Sequence, residues 1–328
     1  MKLKLSKIYS RIFYPGRKFK IFKKKYFNVK FFTIISKFFS PLIYLERKKA
    51  IKKYFPETKI VINPDDGFKI IDFKKNEQAN KAINACKKIY SKINWKKYQL
   101  KDRKKASFIT LQLDIFDPAN RRIIDFATSE FLINIISKYI GSVPVLCDAS
   151  INVSPNDAIH DNSAQSFHID RDEHKQIKFY LYLDDVTERD GPFCLIPANQ
   201  SKEIFYKIED SKKKNFFSDE EIYKAKKEIN LVKLTGKKGD GILADTASCL
   251  HYGSRPIISK KTKPRIALLL WYQSAFSPMM PIALKFKKKI NFNNVDKKKK
   301  KILDLVLGLH HLNYRRRKDV STNQGDIK

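Results

Sequence analysis

The sequence predicts a mainly β domain, a sandwich or barrel with helices packed outside it. Helical patterns dominate before residue 142, and short β-branched or aromatic segments follow, among them "VPVLCDASINVS", "IKFYLYLDD", "GILAD" and "PRIALLLWY". The chain has 328 residues, of which 42% are hydrophobic. It is therefore long enough to bury a core, and its composition is not that of a disordered protein.

The helices are predicted from apolar residues that recur at helical spacing. This pattern covers residues 76–93 and 129–141, and the closing segment "DKKKKKILDLVLGLHHLNY" has it too. A further helix interrupts the strands at "SDEEIYKAKKEI", where Ser218 and Glu221 have the spacing of a capping box.

The strong positive charge of the chain has two explanations, a compositional bias and an anionic partner. The chain carries 68 basic and 34 acidic residues, a formal net charge of +34. Such a surface attracts nucleic acid, anionic lipid headgroups or phosphorylated molecules. The abundance of Lys, Ile, Asn, Phe and Tyr is also typical of an AT-rich coding bias, so a selected partner and a compositional bias both remain open.

We predict three parts: a basic aromatic segment over residues 1–55, a main domain over 56–318 and a tail over 319–328. The first segment has two interpretations. Its aromatic side chains pack on the core, or they lie in the interface of an anionic membrane with the lysines at headgroup level. Its most apolar run, 31–45, is too short for a membrane helix and contains Lys37 and Pro41.

The four cysteines indicate a reducing compartment. Cys86, Cys147, Cys194 and Cys249 are widely spaced and include no C-x-x-C motif, which favours free thiols. We find no secretory signal and no spanning helix in the sequence. The expectation is a cytoplasmic protein, with peripheral contact at the inner membrane face as the alternative.

The segment "AQSFHIDRDEHK" contains the first half of a candidate metal site. In a strand, His168 and Asp170 point to the same face. An H-x-D pair alone is weak evidence, so a further ligand is needed from another strand. His251 qualifies, because it ends the apolar segment "ILADTASCLH" before a turn. Two histidines and one carboxylate are the ligands of non-haem Fe(II) oxygenases and leave positions open for a 2-oxo acid and O₂.

Arg265 is the candidate partner for the distal carboxylate of that 2-oxo acid. It begins the apolar segment "RIALLLWY" and is one of only 13 arginines in a lysine-rich chain. A guanidinium pairs with a buried carboxylate better than an ammonium does.

The remaining histidines are not assigned to the site. His160 lies in a predicted loop, His174 stands among charged residues, and His310 and His311 flank the closing helix.

The order His168-x-Asp170, "LYLDDVTERDGPFCLIPANQS", His251 and Arg265 resembles the phytanoyl-CoA dioxygenase family of Fe(II)/2-oxoglutarate oxygenases. The resemblance extends over about residues 60–290. It implies a double-stranded β-helix, that is, a jelly-roll or cupin-like core with flanking helices, and an oxygenase domain within residues 56–318.

The resemblance also implies roles for individual residues. His168, Asp170 and His251 would hold Fe(II), and Arg265 would bind 2-oxoglutarate. Tyr180 and, less directly, Ser254 match positions that contact this co-substrate. Family members that halogenate lack the carboxylate ligand, so Asp170 implies hydroxylation. In place of the family's Pro-Gly-Ser-His turn, this chain has "PANQ" at 197–200.

The predicted function is hydroxylation of a small or lipid-linked, anionic organic substrate, with release of succinate and CO₂. The alternative is a non-enzymatic, polybasic protein that binds nucleic acid or an anionic membrane on a degenerate oxygenase fold. Aromatic residues interleaved with lysines over 17–32 favour that alternative, but we recognise no specific nucleic-acid motif.

Overall fold

The computed structural model describes residues 30–31, 33–35, 37–38, 41–93, 109–115, 117–154, 164–171, 173–208, 211, 214–257, 259, 263–277 and 295–307. His160, His310, His311 and the predicted tail 319–328 therefore lie outside the described residues, as do residues 1–29 of the predicted N-terminal segment.

Seven α-helices are numbered here in the described part of the chain. They are α1 (Pro41–Tyr54), α2 (Glu77–Ser91), α3 (Arg121–Ala127), α4 (Glu130–Ile140), α5 (Ala198–Lys207), α6 (Asp219–Ala225) and α7 (Lys297–Val306).

The described strands lie mostly after α4. They are β1 (Phe68–Asp72), β2 (Ile109–Gln112), β3 (Val145–Ser154), β4 (Phe167–His168), β5 (Gln176–Tyr182), β6 (Phe193–Leu195), β7 (Phe216–Phe217), β8 (Val232–Leu234), β9 (Asp240–Ala244), β10 (His251–Tyr252) and β11 (Arg265–Gln273).

The strands form two antiparallel sheets. The larger has the order β1-β9-β5-β11-β3-β2, and the smaller has the order β7-β4-β10-β6-β8. Apart from β2 and β3, strands that are neighbours in a sheet are not consecutive in sequence, which is typical of a jelly roll rather than a meander. The predicted fold class, a mainly β core of this type with flanking helices, is confirmed.

Successive side chains of a strand point to opposite faces of the sheet, so the larger sheet contributes to two separate hydrophobic cores. On β5, Phe179 and Leu181 face outward into a core formed with α2, α3, α4 and α7. Tyr180 and Tyr182 face the opposite way, towards Phe193 of β6 in the smaller sheet. The inner face of the larger sheet therefore points into the sandwich, where the polar side chains of the candidate site lie.

Several predicted elements are confirmed. Helix α2 begins after Asn76, whose side chain accepts from the Ala79 amide, and α4 is capped by Ser129 and ended by Gly141 at a φ of 81°. The Ser218–Glu221 capping box is present at the start of α6.

One local prediction is wrong, that of an apolar strand running through "ILAD" and "SCLH" to His251. The segment "ILADTASCLH" is not one strand, because β9 ends at Ala244 and residues 245–250 turn the chain into the other sheet. The Asp245 side chain accepts from the amide of Ala247 within this turn and from the amide of Gln176 on β5, which stabilises the reversal. In the "PANQ" segment, which replaces the family's turn, helix α5 begins at Ala198, directly after Pro197.

Helix α1 packs against the core, as the first interpretation of the N-terminal segment predicts for these residues. The buried Arg47 donates to the carbonyls of Val143 and Leu305, each at 2.9 Å. Lys301 of α7 pairs with Glu46. Among the described residues, no helix is both long and apolar enough to cross a bilayer.

Candidate metal centre

Two short strands place the candidate histidines side by side. His168 ends β4 and His251 begins β10, and these residues are directly opposite each other in the antiparallel pair. Their rings are 4.2 Å apart between centroids. A single strand pairing therefore joins two residues that are 83 positions apart in sequence.

Backbone contacts fix the orientation of both imidazoles. Nδ1 of His168 lies 2.8 Å from the Ser166 carbonyl oxygen, and Nδ1 of His251 lies 2.9 Å from that of Cys249. A carbonyl only accepts, so each Nδ1 carries the hydrogen and each Nε2 keeps its lone pair. A neutral imidazole with a free Nε2 is a metal ligand.

Asp170 completes the group. It lies just beyond β4, where its amide donates to the Thr246 carbonyl in the turn that precedes β10. Its Oδ2 is 3.7 Å from Nε2 of His251. One ligand atom from each of His168, Asp170 and His251 lies within 4.8 Å of the others, which is close enough to share one metal ion.

Burial keeps the two histidines neutral, whereas neighbouring groups keep the Asp170 carboxylate ionised. Burial lowers the pKa of His251 to about 3, and it also lowers the pKa of His168. Burial alone would raise the pKa of Asp170, but the Lys178 ammonium and both imidazoles outweigh it, so this pKa is lowered. The group thus has the protonation state that a divalent cation requires.

Arg265 lies in a separate polar cradle at the start of β11. It is 7% exposed, and its Nη2 donates to Ser154 Oγ at 2.7 Å and to Ser254 Oγ at 3.4 Å. The two hydroxyls are 2.6 Å apart. Ser254 has a φ of 60°, the left-handed conformation that non-glycine residues rarely adopt and that is often found at binding sites.

This cradle has unused hydrogen-bonding capacity. The buried Nε of Arg265 has no hydrogen-bond partner among the described residues. A Cβ on the neighbouring Gly253 would lie 3.3 Å from Arg265 Nη2, so glycine keeps the approach to the guanidinium open. A buried cation with a spare donor fits a carboxylate ligand.

Tyr180 lines the inner face of the larger sheet. On β5 it lies opposite Leu269 of β11, four residues from Arg265. Its ring stacks on Phe193 of the smaller sheet at 4.6 Å, and Phe193 in turn lies 5.6 Å from the His251 ring. Tyr180, which was predicted to contact the co-substrate, therefore lies in the space between the sheets, and the Phe193 ring lies between it and His251.

Sequence reasoning missed three residues of this site: Ser154, Phe193 and Lys178, whose ammonium lies 2.7 Å from Asp170 Oδ2. An inward-facing lysine at alternating spacing with Tyr180 was a readable signal, but it was obscured by the many other lysines. His174, which was not assigned to the site, instead pairs with the buried Glu173.

The donor set fits a non-haem Fe(II) ion and its 2-oxo acid. Two neutral imidazoles and one carboxylate supply three protein ligands of the type and number that such iron sites use. The partly unsatisfied guanidinium nearby can bind a distal carboxylate. His168, Asp170 and His251 are thus the residues that would hold the metal, and Arg265 the one that would hold the co-substrate.

Structures with related folds include 2-oxoglutarate enzymes. The non-haem α-ketoglutarate-dependent epimerase SnoN from nogalamycin biosynthesis is 13% identical with a TM-score of 0.45, and the match covers 78% of this chain and 90% of SnoN. EctD from S. alaskensis with bound Fe is 15% identical with a TM-score of 0.47, over 67% of this chain and 80% of EctD. HygX from Streptomyces hygroscopicus, with nickel and 2-oxoglutarate, is 13% identical with a TM-score of 0.43, over 65% and 84%.

No curated protein matches the chain at a significant level. The family comparison does give a match: residues 138–267 match the phytanoyl-CoA dioxygenase (PhyH) family. This region runs from the end of α4 into β11 and contains His168, Asp170, His251 and Arg265. The match confirms the resemblance that the motifs indicated: residues 138–267, which include all four of these side chains, are similar to the phytanoyl-CoA dioxygenase family.

Proposed function

We propose that the chain is a hydroxylase that uses Fe(II) and 2-oxoglutarate on a small or lipid-linked, anionic organic substrate. The observation that carries this proposal is the convergence of His168, Asp170 and His251 from separate segments onto one point inside the sandwich. Asp170 fills the carboxylate position, which supports hydroxylation as the outcome.

The bound iron would supply the redox chemistry, in which one oxygen atom of O₂ enters a C–H bond of the substrate and the other enters succinate, with loss of CO₂. The chain's own residues supply binding and orientation. His168 and His251 are held by backbone carbonyls, and Arg265 is held by the two serines. Tyr180 and Phe193 give an aromatic wall that limits access of water.

The test of this proposal is succinate release under air with Fe(II) and 2-oxoglutarate. Candidate acceptors are supplied in matched pairs, such as a carboxylic acid and its neutral amide, or a phosphate ester and its alcohol. We expect anionic members to stimulate succinate release by about tenfold or more over their neutral partners, since one charge-assisted contact contributes about 1.5–3 kcal/mol. Stimulation by the neutral members instead would contradict the proposed substrate class.

A membrane contact is a second proposal, and it is favoured by exposed apolar side chains. Phe31, Ile34, Phe38, Leu42 and Leu45 follow one another at intervals of three or four residues across two helical segments, and Phe38 and Leu42 are 79% and 80% exposed. Lysines flank them at Lys30, Lys48 and Lys49. We propose that this face lies on an anionic bilayer.

Leu42→Asp should weaken co-sedimentation with phosphatidylserine-containing vesicles by about tenfold or more, because burying a leucine contributes about 1.5–3 kcal/mol. Tyr223→Asp, an exposed site on α6, is the matched control and should have little effect. Equal pelleting of both variants and the wild type would show that this face does not contact the membrane.

A further inference from the structure

Lys178 lies where a metal ion would meet Asp170. It is on the inner face of β5, and its side chain is only 18% exposed. Its Nζ is 2.7 Å from Asp170 Oδ2, the same oxygen that lies 3.7 Å from His251 Nε2. The ammonium also lowers the pKa of both His168 and His251, although burial is the larger cause for each, so its charge acts on all three candidate ligands.

The ammonium and a divalent metal compete for this oxygen, because two cations on one carboxylate oxygen repel each other strongly in a buried site. In the metal-free chain Lys178 compensates the buried carboxylate, since an unpaired charge there would be costly. A metal on Asp170 would therefore push the ammonium away from Oδ2 and leave an excess of positive charge beside this carboxylate.

The surroundings of Lys178 show where the displaced ammonium stays. Trp271 of β11 lies directly opposite Lys178, with its ring 5.5 Å from Nζ. Beyond Trp271 in the same row is Asp148 of β3, and Gln112 already donates to that carboxylate. The Trp271 ring is therefore a place where the displaced ammonium can remain, within the sandwich, and an anion bound beside it would be stabilised by its charge.

The register of β5 and β11 places Lys178 and Trp271 at a distance from Arg265. Trp271 is six residues along β11 from Arg265, about 20 Å at 3.4 Å per residue. Since the Arg265 end binds 2-oxoglutarate in the proposed function, the Lys178 and Trp271 end is left for the substrate.

We propose that Lys178 is a displaceable counter-ion of Asp170 whose ammonium, once a divalent metal binds, holds an anionic group of the substrate such as a carboxylate, sulfate or phosphate. This inference rests on the proposed function, because it takes Asp170 as a metal ligand. It adds a specificity-determining residue and explains how an anion is selected next to the metal.

The test is an anaerobic titration with Co(II) alone, followed by its visible absorption, of the full chain. Lys178→Met removes the charge and keeps much of the length, and Lys178→Gln is a second neutral variant in case the first does not fold. Lys175→Met is the control, since Lys175 contacts Tyr139 instead. We expect Lys178→Met to bind Co(II) about tenfold or more tightly than the wild type and Lys175→Met to be unchanged.

The anion-binding step is tested with sulfate at constant ionic strength. Sulfate should raise the Co(II) affinity of the wild type by about twofold when its concentration equals its dissociation constant, and this effect should be absent in Lys178→Met. A sulfate effect that persists in Lys178→Met places the anion on the metal itself and overturns the proposal. Unchanged or weaker Co(II) binding in the neutral variants overturns it too.

These outcomes differ from failure of the proposed function. If the folded wild type and all variants lack one-to-one Co(II) binding, the metal centre itself is wrong and both proposals fall. If Co(II) binds stoichiometrically but does not respond to Lys178 as expected, only the role of Lys178 falls.

Discussion

His168→Ala is expected to abolish stoichiometric Fe(II) binding. The variant keeps only two of the three protein ligands, and His174, the other histidine among the described residues, is held by Glu173. Changes to residues that only orient a ligand already cost about 10–100-fold in metal affinity, so removal of the ligand should cost at least about 100-fold. Anaerobic titration with Fe(II), followed by calorimetry, measures this affinity.

His174→Ala is the matched control for this experiment. It removes an imidazole from the same segment, six residues further along, without touching the candidate ligands. It should bind Fe(II) as the wild type does. Equal loss of binding in both variants would show that the effect comes from disturbance of the 164–175 segment rather than from a lost ligand.

Arg265→Met is expected to weaken the binding of 2-oxoglutarate strongly while leaving metal binding intact. Removing one partner from a buried, charge-assisted pair costs about 2–5 kcal/mol, which corresponds to a rise in the dissociation constant of about 30-fold or more. Arg265→Lys retains the charge but loses the planar fork and its contact with Ser154, so we expect an intermediate loss.

The control is Arg121→Met, because Arg121 lies on α3 and pairs with Asp125 away from the site. It should leave the 2-oxoglutarate affinity unchanged. Titration of the metal-loaded variants with 2-oxoglutarate measures all of these constants. If Arg265→Met bound the co-substrate as tightly as the wild type, the Ser154–Ser254–Arg265 cradle would have another ligand.

Local patterns allowed much of the fold to be predicted. Helices α2 and α4 are readable because their apolar spacing and their caps at Asn76, Ser129 and Gly141 agree with each other. The turn over 245–250 was not readable, because its apolar residues continue the strand pattern. What breaks β9 is the buried Asp245, which accepts from Tyr139, and that contact is 106 residues away in sequence.

The candidate site, too, could be predicted from the sequence only in part. The H-x-D spacing shows that His168 and Asp170 share a face, because strand geometry is local. His251 was a candidate from its place at the end of an apolar segment, but its direct pairing with His168 depends on the order of strands in the smaller sheet, which the sequence alone does not show. The contacts of Ser154 with Arg265 and of Lys178 with Asp170 were not predicted either, since they come from long-range register and close approach.

The central claim is that His168, Asp170 and His251 hold an iron that binds 2-oxoglutarate, and one measurement tests it directly. The apoprotein is titrated anaerobically with Fe(II) and then with 2-oxoglutarate, and the visible metal-to-ligand charge-transfer band is followed. A band that saturates at one iron per chain and is absent in His168→Ala is the predicted result. A folded wild-type chain that gives no band under any of these conditions would contradict the claim.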